Sequence, residues 1–80
     1  MPTYVLTHRH DPEECAVAIA AWKGFASPLR RSRPLGSCAR GSHRLWWTVE
    51  AANEASALAL LPYYVAQRTT AEEVKEVPLP

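Results

Sequence analysis

Residues 43–50 read HRLWWTVE, and this stretch limits the possible folds more than any other. Its aromatic and β-branched residues predict a strand over His43–Glu50. Side chains alternate along a strand, so Leu45, Trp47 and Val49 share one face while Trp46 and Thr48 share the other. A second predicted strand, Thr3–His10, repeats the pattern. Tyr4, Leu6, His8 and His10 lie on one face, and Val5, Thr7 and Arg9 on the other. Two strands with apolar bulk on both faces belong at the centre of a sheet, and both faces then need cover.

The remaining segments supply that sheet. Asp11-Pro12-Glu13-Glu14 is a helix start: Asp11 can cap, Pro12 suits the first position, and Glu14 stands where a capping-box acid belongs. The helix is expected to run to Lys23 or Gly24, with Cys15, Ala18, Ile19, Trp22 and Phe25 as its buried stripe. Ala26–Pro34 reads as a loop, Leu35–Ala39 as a short strand, and Arg40-Gly41-Ser42 as a turn. Asn53 can cap a second helix over Ala55–Leu61, which Pro62 interrupts and Tyr63–Gln67 continues for a turn. A last strand is expected over Glu73–Val77, followed by Pro78 and Pro80. The order is strand, helix, strand, strand, helix, strand. The expected fold is therefore α+β: one ferredoxin-like βαββαβ domain over residues 1–80 with a four-stranded antiparallel sheet ordered 4-1-3-2. Both helices then cover one face of the sheet. A second copy is expected to cover the other, giving a homodimer packed sheet to sheet.

This topology gives the polar residues a location. The first strand ends at His8 and His10, the second ends near Cys38, and the third starts at His43. His8, His10, Cys38 and His43 are thus expected at one end of the sheet. With Ala39–Ser42 as a hairpin loop, Cys38 and His43 face each other, with Cβ atoms about 5 Å apart. Imidazole and thiolate together suit a transition metal ion: Zn, Ni or Cu. The same residues could instead line a polar or catalytic pocket, or be solvated strand-end histidines beside a small buried cysteine. Cys15, on the helix stripe, is assigned to packing.

Charge and composition narrow the alternatives. The net charge is +1, which does not call for nucleic acid. No acid lies between Cys15 and Val49, whereas Lys23, Arg30, Arg31, Arg33, Arg40 and Arg44 do. The βαββαβ order is shared with RNA-recognition modules, but HRLWWTVE lacks their glycine- and aromatic-rich third-strand signature, so nucleic acid is not an expected partner. No apolar run is long enough to span a bilayer, and no charged-then-apolar leader opens the chain. With only two cysteines, the expectation is a soluble cytoplasmic protein with reduced thiols. Three functions stand on this reading: a small metal-binding protein, a dimeric α+β barrel enzyme of cofactor-free oxygenase or isomerase type acting on a small ligand, and a partner-binding module without catalysis.

The chain also resembles the small actinobacterial proteins of ferredoxin-like fold, an uncharacterised family that includes a nickel-binding member. His8-Arg9 just before the first helix, the element order, and the ending Glu76-Val77-Pro78-Leu79 carry the likeness. The Trp46-Trp47 pair, the loop Ser27–Pro34 and the two cysteines have no counterpart in it. The resemblance implies a dimer and a transition metal, and it carries over His8 alone. More broadly, the chain is similar to dimeric α+β barrel proteins, among which are cofactor-free monooxygenases.

Overall fold

The computed structural model describes residues 1–80. Strand β1 (Thr3–Arg9) pairs antiparallel with β3 (Arg44–Glu50) on one side and with β4 (Thr69–Val74) on the other. A two-residue strand β2 (Leu35–Gly36) pairs with β3, giving an antiparallel sheet ordered β2-β3-β1-β4. Three short helices complete the α+β architecture: α1 (Cys15–Ala20), α2 (Glu54–Leu58) and α3 (Tyr63–Ala66).

The register explains the core. Tyr4 faces Val49 and Leu6 faces Trp47, so the inner residues of β1 and β3 form one apolar patch. Ala57 of α2, Val65 of α3 and Leu61 between them close over it, together with Ala51. Leu6 and Ala57 have no solvent-accessible surface at all. The outer residues of the same strands, Thr48 and Glu50 among them, remain exposed, while Val5, Thr7 and Trp46 are half-buried.

Several boundaries differ from the sequence expectation. Helix α1 ends at Ala20, not at Lys23 or Gly24, and Gly24 has a positive φ of 75° that continues no helix. Its predicted stripe is mostly not a core: Ala18 is buried, Cys15, Trp22 and Phe25 are half-buried, and Ile19 is 59% exposed. Trp22 nevertheless stacks obliquely on Trp47, ring centroids 5.8 Å apart, and ties the end of this segment to the core. The second strand stops at Gly36, because Cys38–Arg40 wind into a 3₁₀ turn. The last strand covers Thr69–Val74 and not Glu73–Val77. Two β-branched threonines open it, and pairing with β1 ends where β1 itself begins, at Thr3 opposite Val74.

One polar cluster fixes the corner between β1 and α1. Glu14 Oε1 accepts from the Asp11 backbone N–H at 3.0 Å, the acid arm of a capping box. Its Oε2 accepts from Tyr64 Oη and Arg68 Nε, both at 2.9 Å. The Asp11 amide first, then Tyr64 and Arg68, hold the Glu14 carboxyl down at about 2. The start of α1 is thereby fastened to α3 and the residue before β4. No helix is long and apolar enough to cross a membrane.

Candidate metal centre

Four side chains converge at the end of the sheet where β1 gives way to α1. His10 follows β1, Cys15 is the first residue of α1, Cys38 opens the 3₁₀ turn, and His43 precedes β3. One ligand atom from each lies within 4.8 Å of the other three. Cys38 Sγ is 3.8 Å from His10 Nε2. The rings of His10 and His43 have centroids 5.4 Å apart.

Local structure delivers each group. The ladder between β1 and β3 extends one step beyond the strands, through the His10 N–H donating to the His43 carbonyl at 3.3 Å. That bond places the two histidines side by side. The turn from Cys38 to His43 is clasped at its base. The Ser37 and Ser42 hydroxyls hydrogen-bond to each other, and Ser37 Oγ accepts from the Arg44 N–H at 3.1 Å. Gly41 supplies the positive φ of 93° that reverses the chain. His43 itself has a φ of 51°, a left-handed conformation that few non-glycine residues adopt and that clusters at functional sites.

The donor set fits a transition metal. His43 Nδ1 is buried and has no hydrogen-bond partner, an uncommon state for a buried polar nitrogen. Both cysteines are free thiols and half-buried. Burial, and then the nearby Cys15 sulfur, push the Cys38 thiol up from its ordinary value. A cation coordinated there would reverse this and take the thiolate. Zinc–sulfur bonds of about 2.3 Å and zinc–nitrogen bonds of about 2.0 Å imply tetrahedral edges of about 3.3–3.8 Å. The 3.8 Å contact between Cys38 and His10 is within about 0.3 Å of the sulfur–nitrogen edge, and the widest separation would close by about 1–1.5 Å.

Of the residues that sequence pointed to, His10, Cys38 and His43 are brought together. His8 is not in the group. It is fully buried behind His10, and both of its ring nitrogens are engaged: Nε2 with His10 Nδ1 at 3.0 Å, and Nδ1 with the Val65 carbonyl at 3.2 Å and Thr69 Oγ1 at 3.1 Å. Burial, and next the His10 ring, lower its affinity for a proton. Cys15, read from sequence as a packing residue, is the fourth member. A signal for it was present. His10 and Cys15 are separated by four residues, and so are Cys38 and His43, in mirror order. Two such pairs suggest a four-ligand site more strongly than either alone.

A polar concavity of about 260 Å³ adjoins His10 and is lined by Arg9, Asp11, Glu14, Ser42 and Arg44. No family model, curated protein or solved structure matches the chain.

Proposed function

We propose that this protein is a metal-stapled module that holds one tetrahedral ion, preferentially zinc, on His10, Cys15, Cys38 and His43. The observation that carries this reading is the convergence of two imidazoles and two thiols within 4.8 Å. Four protein ligands fill a tetrahedral shell and leave no position for substrate, which is the pattern of a structural site and not a catalytic one. The fold has a use for such an ion. Helix α1 buries only Ala18, and Val17 and Ile19 point largely to solvent. A metal bound through Cys15 would pin this helix and the Cys38–His43 turn to the end of β1. The test is to load the reduced protein with Zn(II) and, separately, Co(II). One equivalent of each, with the intense visible bands of tetrahedral cobalt–thiolate coordination, is expected. No binding, or a weak octahedral cobalt spectrum, would overturn the reading.

The strand order β2-β3-β1-β4 supports a ferredoxin-like reading of the fold. The outer sheet face supports a partner, and we take that partner to be a second copy. Val5, Thr7, Trp46 and Leu35 form its middle, with Leu35 77% exposed. Arg9 pairs with Arg44 at one end of this face, while Glu50 stands at the other end, opposite Thr3, and Glu72 lies beside Val5. A two-fold axis in the plane of the interface and across the strands sets the arginine end of each copy over the glutamate end of the other. The face is therefore complementary to itself in charge as well as apolar in its middle.

A further inference from the structure

We propose that His8 is a positioning residue: it relays the Val65 carbonyl to His10, fixes His10 as its Nδ1–H tautomer, and so presents His10 Nε2 as a lone pair to the metal. The inference rests on the metal-centre reading and assigns a role within it to a histidine outside the ligand group.

The argument is one of donors and acceptors. His8 Nδ1 meets two oxygens, the Val65 carbonyl at 3.2 Å and Thr69 Oγ1 at 3.1 Å. A carbonyl oxygen only accepts. The Thr69 hydroxyl donates to that same carbonyl at 2.6 Å, so toward His8 it too is an acceptor. All three contacts are satisfied when His8 Nδ1 carries the hydrogen. With the hydrogen on the other nitrogen, a bare Nδ1 would lie 3.2 Å from the Val65 carbonyl oxygen, lone pair against lone pair, inside a fully buried site. A neutral His8 with Nδ1–H has a bare Nε2. That nitrogen lies 3.0 Å from His10 Nδ1, which must therefore be the donor. A neutral His10 with Nδ1–H has a bare Nε2, and this is the atom that faces Cys38 Sγ. The chain of inference runs from a backbone carbonyl through two rings to the atom a metal would bind.

The relay has a physical purpose. A ligating imidazole whose other nitrogen donates to a fixed acceptor is held in one orientation and one tautomer, and its basicity rises. Here the acceptor is itself anchored, because Val65 is buried in the core and Thr69 pairs with His8 across β1 and β4. An imidazole without such a partner samples both tautomers and other ring rotations, which weakens binding.

Long-range ¹H–¹⁵N spectra of histidine-labelled, reduced, metal-free protein at neutral pH read the tautomers directly. His8 and His10 are both expected as Nδ1–H, and His10 as Nε2–H would overturn the relay whether or not metal binds. Zinc competition titrations then compare wild type with His8→Phe, which fills the space without an acceptor, and His8→Gln, whose amide oxygen can replace Nε2. Affinity is expected to fall about 10- to 100-fold in His8→Phe. It should return to within a few-fold of wild type in His8→Gln, and His10 should show mixed tautomers in the Phe variant only. Equal affinity in wild type and His8→Phe, or an equal loss in both variants, would overturn the proposal. Should wild type take no zinc at all, the metal-centre reading fails, while the spectra still decide the tautomer relay. Amide dispersion in each variant shows whether it is folded.

Discussion

Cys15 shows where residue-level reading succeeds and where it stops. Strand alternation put His8 and His10 on one side of the chain, and both are buried, His8 within β1 and His10 just past its end. Alternation could not say which of the two would reach past the strand end and which would turn inward. That depends on Val65 and Thr69, more than fifty residues away in sequence. Helical spacing likewise put Cys15 on an apolar stripe, but a helix of six residues has no deep face, and its first residue points at whatever lies beside the strand end. The consequence can be measured. Cys15→Ser is expected to weaken zinc binding as severely as Cys38→Ser, by at least 100-fold in competition titrations, and to abolish the cobalt–thiolate bands expected of the four-ligand site. An affinity within a few-fold of wild type would return Cys15 to a packing role. By contrast, Leu6→Ala acts through the core alone: removing a fully buried side chain leaves a cavity worth about 2–5 kcal/mol. Denaturant unfolding of the metal-free protein should show that loss, or no folded baseline at all.

At the scale of elements, long strongly patterned segments were legible and short weakly packed ones were not. β1 and β3 pair as the two central neighbours expected from their patterning, and the structure sets the register, Tyr4 opposite Val49 and Leu6 opposite Trp47. Helix α2 begins where Asn53 predicts, and the Asn53 side chain accepts from the Ser56 N–H at 2.8 Å. Asn53→Ala should therefore cost about 1 kcal/mol, the usual value of a lost N-cap, read as a fall in the denaturant midpoint with an unchanged slope. The turn at Cys38–Arg40 and the short β2 were harder to read. Their geometry follows from the serine clasp and the positive φ of Gly41, and hydrophobic period does not report those. If the proposed ion binds, helix α1 is the element its removal should loosen most, since only Ala18 of this helix is buried. Zinc at 100 times its Kd stabilises the native state by about 2.7 kcal/mol. For a domain of this size, that corresponds to a fall of about 10–20 °C in Tm on chelation. Hydrogen exchange should rise first in α1 and in residues 37–43, while β1 and β3 keep their protection. Uniform loss of protection would mean that the ion holds the whole fold and not this corner.

The whole molecule poses a problem of area. Only 12 of 80 residues are buried, and one sheet face carries the core while the other carries Val5 and Trp46, half-buried, beside the exposed Leu35. A domain this small has little core to spare, and association is a common remedy. The apolar middle of the outer face could in principle receive many partners, but its charge order is selective. Arg44 and Glu50 lie six residues apart on one strand, at opposite ends of the face. In the proposed two-fold pair, each Arg44 approaches the partner's acidic end. Trp46→Glu would place a charge at the centre of that interface and should shift the particle from dimer to monomer in native mass spectrometry at micromolar concentration. Arg44→Glu should weaken the dimer by setting like charges together, and adding Glu50→Arg should restore it, because the swap reverses both ends at once. The restoration is the decisive arm. Any substitution on the face can damage an interface with any partner, but only a surface that meets its own copy end to end regains affinity when both ends are exchanged. A monomeric wild type, or a double variant no better than Arg44→Glu alone, would remove the second copy as the occupant of this face.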